Sequence, residues 1–202
     1  MPKACPHFKL LSERVTALFA KFASDQVADE AANPLTFQPD LDRLAAFKLL
    51  VHGEIEDFLE TKAKENLTLL GISMANPTWI RKFPELLSLA VALNKFPTDL
   101  IEPDPQKFSN YVNELIVGAR SAISKNNGIK SNSFIFLSIC AGKTIDEIDN
   151  GLSASLNSYG KNRGDVAHQS ITHSTTLQAP SAEFNAASTL VSQISTYFDV
   201  IA

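Results

Sequence analysis

Apolar residues recur at alternating steps of three and four along most of this chain, and that spacing places them on one side of an α-helix. The clearest stripe lies near the N-terminus and consists of Phe8, Leu11, Val15, Leu18 and Phe22. A second stripe consists of Phe108, Tyr111, Val112, Leu115, Ile116, Ala119 and Ile123. The two stripes predict two amphipathic helices, the second of which starts at Asp104-Pro105 and stops at Asn127-Gly128.

Two further helices are expected between these stripes. One runs from near Asp40 to about Leu67 and carries His52 within its apolar face. The next segment starts around Pro77, and Pro84 is expected to open a helix at its first turn, where the missing N–H costs nothing. The residues expected to point inward from that helix are Leu87, Ala90 and Val91.

Three segments complete the pattern. The apolar run 133–140 is too short for periodicity to separate a strand from a helix, and its context favours a helix. Thr144 and Glu147 have the spacing of a capping box, and the helix that they start is expected to continue toward Gly160 through Ile145, Ile148, Leu152 and Leu156. Pro180 precedes a last helix with the apolar residues Phe184, Ala187, Val191, Ile194, Phe198 and Ile201.

The sequence therefore predicts an all-α fold, a helical bundle of about five to seven helices, in a single domain over residues 1–202. Hydrophobic residues make up 45% of the chain and charged residues 20%, which is enough apolar material for a folded core. Two cysteines are too few for a disulfide framework, and the spacing of Cys and His does not suggest a zinc site, so neither a metal nor a cofactor is expected.

Location and partners are constrained by charge and by the absence of long apolar runs. The first six residues, MPKACP, lack the apolar core of a signal peptide, and no run is long enough to cross a membrane, so we expect a cytoplasmic protein without a membrane partner. The net charge of -4 argues against a protein that coats nucleic acid through a basic surface. A local cluster such as Lys161 with Arg163 could still contact RNA.

Polar residues with catalytic potential are concentrated in the segment YGKNRGDVAHQS, residues 159–170, where Gly160 and Gly164 are expected to break the helix. On one continuous helix Arg163 and His168 would point about 140° apart. Gly164 is expected to relax this constraint and let both side chains enter one cleft. An imidazole can take a proton from a ribose 2′-OH, and a guanidinium can stabilise charge on a phosphate, so the pair suits metal-free cleavage of RNA. The alternative is a loop arginine followed by a histidine that caps a helix.

The same segment resembles the HEPN superfamily, whose signature is Arg, four to six residues and then His, near the start of a late helix. The runs NGIK at 127–130 and LSASLNSYGKNRGDVAHQS at 152–170 are similar to the RiboL-PSP type of HEPN domain. The Pro-containing loop APS at 179–181, before a terminal helix, also fits that type. Its second helix is similar to the run RLAAFKLLVHGEIEDFLE at 43–60, so the resemblance covers most of the chain.

This resemblance implies an all-helical bundle, metal-independent endoribonuclease activity, and homodimers in which two motifs form a joint cleft. Arg163 and His168 would be the catalytic pair. Gly164 stands where many members have a polar residue, and Asp165 is the candidate to replace that residue. The implied setting is host defence or toxin action against RNA, with an antitoxin protein as a further partner.

Six other residues are candidates for substrate binding or for support of the catalytic pair: Lys161, Asn162, Asp165, Ser170, Glu56 and His52. His52 and Glu56 are one helical turn apart and could form a hydrogen bond, and Glu56 could orient Arg163. The alternative for these two is a satisfied core histidine with a carboxylate at its edge. The rival functions are a non-catalytic HEPN module that binds RNA, a nucleotide or a protein partner, and a purely structural helical adaptor.

Overall fold

The computed structural model describes residues 2–74, 77–96, 105–168 and 177–202, and at 77–79, 105 and 162–168 it describes the backbone alone. The α-helices in these ranges are α1 (Pro6–Phe22), α2 (Ser24–Ala32), α3 (Leu41–Ser73), α4 (Phe83–Ala92), α5 (Pro105–Ile123), α6 (Ser131–Cys140), α7 (Asn150–His168) and α8 (Pro180–Phe198). The other elements there are the 3-10 helices Pro77–Lys82 and Ile145–Glu147 and the strands β1 (Lys3–Ala4) and β2 (Val200–Ile201). The predicted all-α helical bundle is confirmed.

The helices pack into two compact units, each with its own core. Unit 1 consists of Met1–Phe58, Gly128–Ser131 and Asp149–Ala202. Unit 2 consists of Leu59–Asn127 and Asn132–Ile148. Helix α3 supplies residues to both units, and the single domain over residues 1–202 stays a prediction.

The core of unit 1 is built on aromatic contacts from its first and last helices. Phe58 of α3 meets Phe8 of α1 and Phe198 of α8 edge to face, with ring centroids 5.8 Å and 5.9 Å away. Phe19 stacks on Phe184 with centroids 3.8 Å apart. Large rings bury the most apolar surface per residue and prefer such edge-to-face and offset arrangements, so these contacts fix α1 and α8 against α3.

The apolar pattern does not predict helix α2, because polar side chains attach this helix to its neighbours. Its buried side chain is Gln26, whose amide nitrogen donates to the Phe22 carbonyl at 2.9 Å and whose amide oxygen accepts from the Asp40 N–H at 2.8 Å. Arg43 of α3 contacts both carboxylate oxygens of Asp25 at 2.7 Å. A hydrophobic stripe is therefore not required to place α2.

The chain ends form a two-stranded parallel sheet in which Lys3 pairs with Val200. The backbone of Asp199 is left-handed, with a φ of 53°, and it ends α8 after Phe198. The prediction that Ile201 continues the buried face of the last helix is wrong, because Ile201 lies in β2 and is 47% exposed. Strands of two residues are too short to produce a recognisable alternation.

Unit 2 buries the predicted face of α5 and confirms that the run 133–140 is helical, within α6. The prediction that Leu87 and Val91 of α4 point inward is wrong, since they are 50% and 43% exposed. The buried face of α4 is instead formed by Leu86, Leu89 and Ala90, which are also spaced by three and four. Because α4 is apolar nearly all round, periodicity alone cannot select its buried face.

The predicted helix from Thr144 to Gly160 divides into two elements. Glu147 accepts hydrogen bonds from the N–H and hydroxyl of Thr144 at 2.8 Å and 2.9 Å, so the capping box forms, but it starts a 3-10 helix of one turn. Helix α7 then starts separately at Asn150, where the Asp149 carboxylate accepts from the Leu152 N–H at 2.9 Å. The segment divides because it contains two N-terminal caps in succession, one at Thr144 and one at Asp149, and each cap starts a new element.

Across the described parts of the chain, none of the helices combines the length and apolar character needed to cross a membrane.

Candidate functional site

Helix α7 carries both predicted catalytic residues, Arg163 and His168, near its C-terminal end. It runs without interruption from Asn150 to His168, so the prediction that Gly160 and Gly164 break the helix is wrong. A glycine inside a helix costs about 1 kcal/mol relative to alanine, which the packing of the buried face can offset. On this continuous backbone, positions 163 and 168 are about 140° apart around the axis and about 7.5 Å apart along it.

The helical register assigns the two positions to different sides of α7. Position 163 follows Leu156 by seven residues and Tyr159 by four, and both of these are buried in unit 1. Position 168 follows Lys161 by seven residues, and Lys161 is exposed. The backbone therefore puts position 163 on the same side of α7 as Leu156 and Tyr159, and position 168 on the same side as Lys161.

The other predicted site residues of this segment lie in or just beyond α7. Lys161 is exposed and is two residues before Arg163. Asn162 and Asp165 lie in the part of α7 whose backbone alone is described, and Ser170 lies outside the described residues. Position 162 follows Ser155 by seven residues and Ser158 by four, which places it on the side of α7 that carries those two hydroxyls.

His52 of α3 lies beneath a close approach of the α7 backbone. Its side chain is 1% exposed, as the position inside the apolar face of its helix predicts. A Cβ added to Gly160 would lie 3.5 Å from Nε2 of His52, and one added to Gly128 would lie 3.8 Å from the same atom. An alanine at position 160 would therefore make ordinary van der Waals contact with His52 and with Ile129, and only a longer side chain would have to displace them.

Glu56 lies one turn after His52 and binds the backbone at Gly128. One carboxylate oxygen of Glu56 accepts a hydrogen bond from the Gly128 N–H. The other is 3.8 Å from Nδ1 of His52, which is longer than a hydrogen bond. Gly128 has a φ of +102°, a conformation that favours glycine, and the carboxylate fixes this turn against α3. The proposed action of Glu56 on Arg163 stays a prediction.

Lys48, His52 and Glu56 form a polar stripe at one-turn intervals along α3, and Lys48 forms a buried ion pair. Its ammonium group is 2.8 Å from both carboxylate oxygens of Glu183 on α8, and the two side chains are 3% and 2% exposed. The ammonium also lies 5.4 Å from the ring centroid of Tyr159, within the range of a cation–π contact.

The Lys48–Glu183 pair is a candidate functional feature that sequence reasoning missed. The sequence does contain a signal for this pair, since each charge lies on the apolar face of its predicted helix. Lys48 is one turn before His52 on that face, and Glu183 is one turn before Ala187. Isolated charges on such faces are usually assigned to the solvated edge of a helix. Only the packing of α3 against α8 shows that these two charges neutralise each other.

An open groove of about 590 Å³ in unit 1 is lined by this ion pair and by residues of α7 and α8. Burial raises the pKa of the Tyr159 hydroxyl, and the Glu183 carboxylate raises it further, so this hydroxyl stays protonated and able to donate. Within the ranges that the structure describes, His, Cys, Asp and Glu side chains form no group of three that could hold a metal ion.

Comparisons of the chain with protein-family models, with curated proteins and with solved structures found no match. Membership of the HEPN superfamily stays a prediction, which depends on the sequence resemblance of residues 43–60, 127–130, 152–170 and 179–181.

Proposed function

We propose that this protein is a metal-independent endoribonuclease of the HEPN type and that Arg163 and His168 are its catalytic residues. The observation that supports the proposal is their spacing on one helix, in the Arg, four residues, His arrangement. The pair lies at the C-terminal end of α7, which departs from the HEPN signature near the start of a late helix. Lys161, exposed on the same helix, adds a cation that could contact the RNA backbone.

In the proposed reaction, His168 removes the proton from a ribose 2′-OH or orients that hydroxyl. The 2′ oxygen attacks the adjacent phosphorus, and the bond from phosphorus to the 5′ oxygen of the next nucleotide breaks. The guanidinium of Arg163 stabilises the negative charge that accumulates on the phosphoryl oxygens. The leaving 5′ oxygen takes up a proton, and the products carry a 2′,3′-cyclic phosphate and a 5′-OH.

The continuous helix favours a site shared by two copies of the chain. Positions 163 and 168 lie about 140° apart around α7, so their backbone placement alone does not aim both at one phosphate. Two α7 helices related by a two-fold axis could combine the arginine of one copy with the histidine of the other. We therefore propose a homodimer with a joint cleft, which agrees with the arrangement that the HEPN resemblance implies.

The proposed biological role is defence or toxin action, with cellular or invading RNA as the substrate. The net charge of -4 favours recognition of a short RNA segment by a few cations over binding along a long duplex. An antitoxin protein that covers the cleft would be the natural regulator of such an enzyme.

The test is an RNA cleavage assay in the presence of a metal chelator. We expect the wild-type chain to cut RNA, and Arg163→Ala and His168→Ala each to lower the rate by about a hundredfold or more, because each removes charge stabilisation or proton transfer. Matched controls are Arg120→Ala and His7→Ala, which lie on α5 and α1 and should leave the rate unchanged.

Cleavage that survives both substitutions would contradict the site assignment. If the wild type binds RNA without cutting it, the chain is instead a non-catalytic HEPN module. If the wild type neither binds nor cuts RNA, the chain is better explained as a structural adaptor.

A further inference from the structure

A short stretch of chain before α6 lies against helix α7 within unit 1, beside the segment that carries the proposed catalytic pair. A Cβ added to Gly160 would lie 3.4 Å from Cγ1 of Ile129 and 3.8 Å from the backbone carbon of the same residue. The Ser131 N–H donates a hydrogen bond to Oδ1 of Asn157 at 3.3 Å. Residues 129–131 therefore run beside α7, between its positions 160 and 157.

Lys130 is an exposed cation between these two contacts. Ile129 is buried, whereas Lys130 is exposed. Because both neighbours of Lys130 contact α7, the backbone of Lys130 is also fixed beside that helix. Lys161 directly follows Gly160 and is exposed as well. The two lysine side chains thus start from chain segments that are in contact with each other.

The helical register relates these lysines to the proposed catalytic histidine. Positions 157, 161, 164 and 168 are separated by steps of four, three and four, so they lie on one face of α7. Residues 129–131 border this face at Asn157. Position 168 lies about 10 Å further along the helix axis than Lys161, which a nucleic-acid strand spans in a few nucleotides.

The charges around the two lysines leave a place for an anion. Like charges on adjacent segments repel each other, and a phosphate that contacts both removes that repulsion. A described carboxylate at this turn is that of Glu56, and it accepts a hydrogen bond from the N–H of buried Gly128. Position 165 is an aspartate one turn after Lys161, and ion pairs of that spacing on a helix surface are weak enough for a phosphate to replace.

We propose that Lys130 and Lys161 together bind backbone phosphates of the RNA strand that His168 acts on. The inference rests on the proposed function, because the face that the two lysines border is the one that carries position 168. An ammonium group is a point charge that contacts phosphate and does not read the bases, so this contact is independent of the RNA sequence. It gives Lys130 a role in substrate binding that the sequence alone does not indicate.

The test is the salt dependence of RNA binding, measured by fluorescence anisotropy with a single-stranded 2′-O-methyl RNA oligonucleotide that cannot be cut through its 2′ oxygen. Each phosphate contact on a single strand makes the plot of log affinity against log salt steeper by about 0.7. We expect Lys130→Gln and Lys161→Gln each to weaken binding about three- to tenfold at about 50 mM salt and to reduce the slope by about 0.7. The double variant should reduce it by about 1.4.

Two kinds of control separate this contact from a change in total charge. Lys9→Gln removes the same charge from a side chain on α1 that is 63% exposed, and it should keep the wild-type slope. Lys130→Arg and Lys161→Arg keep the positive charge and should also keep that slope. Circular dichroism of each variant checks that the fold is retained.

The proposal would be overturned if either glutamine variant kept the wild-type slope, if Lys9→Gln reduced the slope as much as they do, or if the wild type did not bind the oligonucleotide. Its failure is distinguishable from failure of the proposed ribonuclease. Cleavage of all-ribose RNA by a chain whose lysine variants bind normally would remove only the lysine contact. Salt-dependent binding through both lysines without cleavage would remove only the catalytic role.

Discussion

At the scale of single residues, the ion pair of Lys48 and Glu183 has the largest expected effect on stability. We predict that Lys48→Met lowers the free energy of unfolding by about 3–5 kcal/mol, because it leaves the Glu183 carboxylate buried without its cation. The double variant Lys48→Met with Glu183→Leu should recover most of that loss, since no buried charge remains. Urea denaturation measures both.

The matched control for this prediction is Lys64→Met. Lys64 also pairs with a glutamate, Glu60 at 2.9 Å, but its side chain is 50% exposed. Its replacement should change stability by less than about 1 kcal/mol. Equal losses for Lys48→Met and Lys64→Met would show that burial of the first pair is not what makes it important.

Cys140 should make stability depend on pH in the alkaline range. Burial raises the pKa of the Cys140 thiol to about 12, whereas a thiol in an unfolded chain ionises near ~8.5. Between these values the unfolded state binds fewer protons than the folded state, so stability falls as pH rises, by up to about 1.4 kcal/mol per pH unit. Below the lower value this contribution to stability is fully present.

Urea denaturation under reducing conditions, at a series of pH values from about 8 to about 11, tests this expectation against Cys140→Ala. The variant should show a shallower decline than the wild type over that interval. Parallel declines would contradict the assignment of the effect to Cys140.

At the scale of elements, two glycines should respond to alanine in opposite ways. Gly53 is exposed within α3, and an added Cβ would meet nothing within 4 Å, so Gly53→Ala should stabilise the protein by about 0.5–1 kcal/mol. Gly128 has a φ of +102° and holds the turn that Glu56 binds. Gly128→Ala should therefore destabilise by about 1 kcal/mol or more.

Thermal unfolding of the two variants beside the wild type measures this contrast. If Gly128→Ala raised the melting temperature, the turn would not require a residue with a positive φ at position 128.

The helices that sequence predicts best are those with a narrow apolar stripe. Helices α1 and α5 agree with their stripes because each buries one face and exposes the other. Periodicity fails for α2, which Gln26 anchors, and for the buried face of α4, which is apolar on nearly every side. The expectation that Gly160 breaks the helix is wrong for a different reason: a glycine weakens a helix without ending it, and the buried Leu156 and Tyr159 hold this part of α7 in place.

The candidate site is predictable from sequence in part, for a physical reason. The spacing of Arg163 and His168 motivates the proposed chemistry, because an imidazole and a guanidinium that converge on a phosphodiester can transfer a proton and stabilise charge. Convergence depends on whether the helix continues and on what packs against it, and neither is a property of the local sequence. The Lys48–Glu183 pair is not predictable for the same reason, because its two residues are 135 positions apart and meet only through the packing of their helices.

At the scale of the whole molecule, the proposed joint cleft predicts complementation between two inactive variants. In a mixed dimer of Arg163→Ala and His168→Ala chains, one of the two clefts would contain both native residues and the other would contain neither. With random exchange, half of the dimers are mixed, so activity should return to about a quarter of the wild-type rate. No recovery after subunit exchange, with dimers present, would place both residues of a site on one chain.

If the chain cuts RNA by attack of a ribose 2′-OH, as we propose, a substrate that lacks this hydroxyl should resist cleavage. An RNA oligonucleotide and the same oligonucleotide with 2′-deoxyribose at its cleavage site are incubated with the protein in chelator, and the ends of the products are identified. We predict that only the all-ribose substrate is cut and that its products carry 2′,3′-cyclic phosphate and 5′-OH ends. Cleavage at the deoxyribose position, or cleavage that occurs only when a divalent metal ion is supplied, would contradict it.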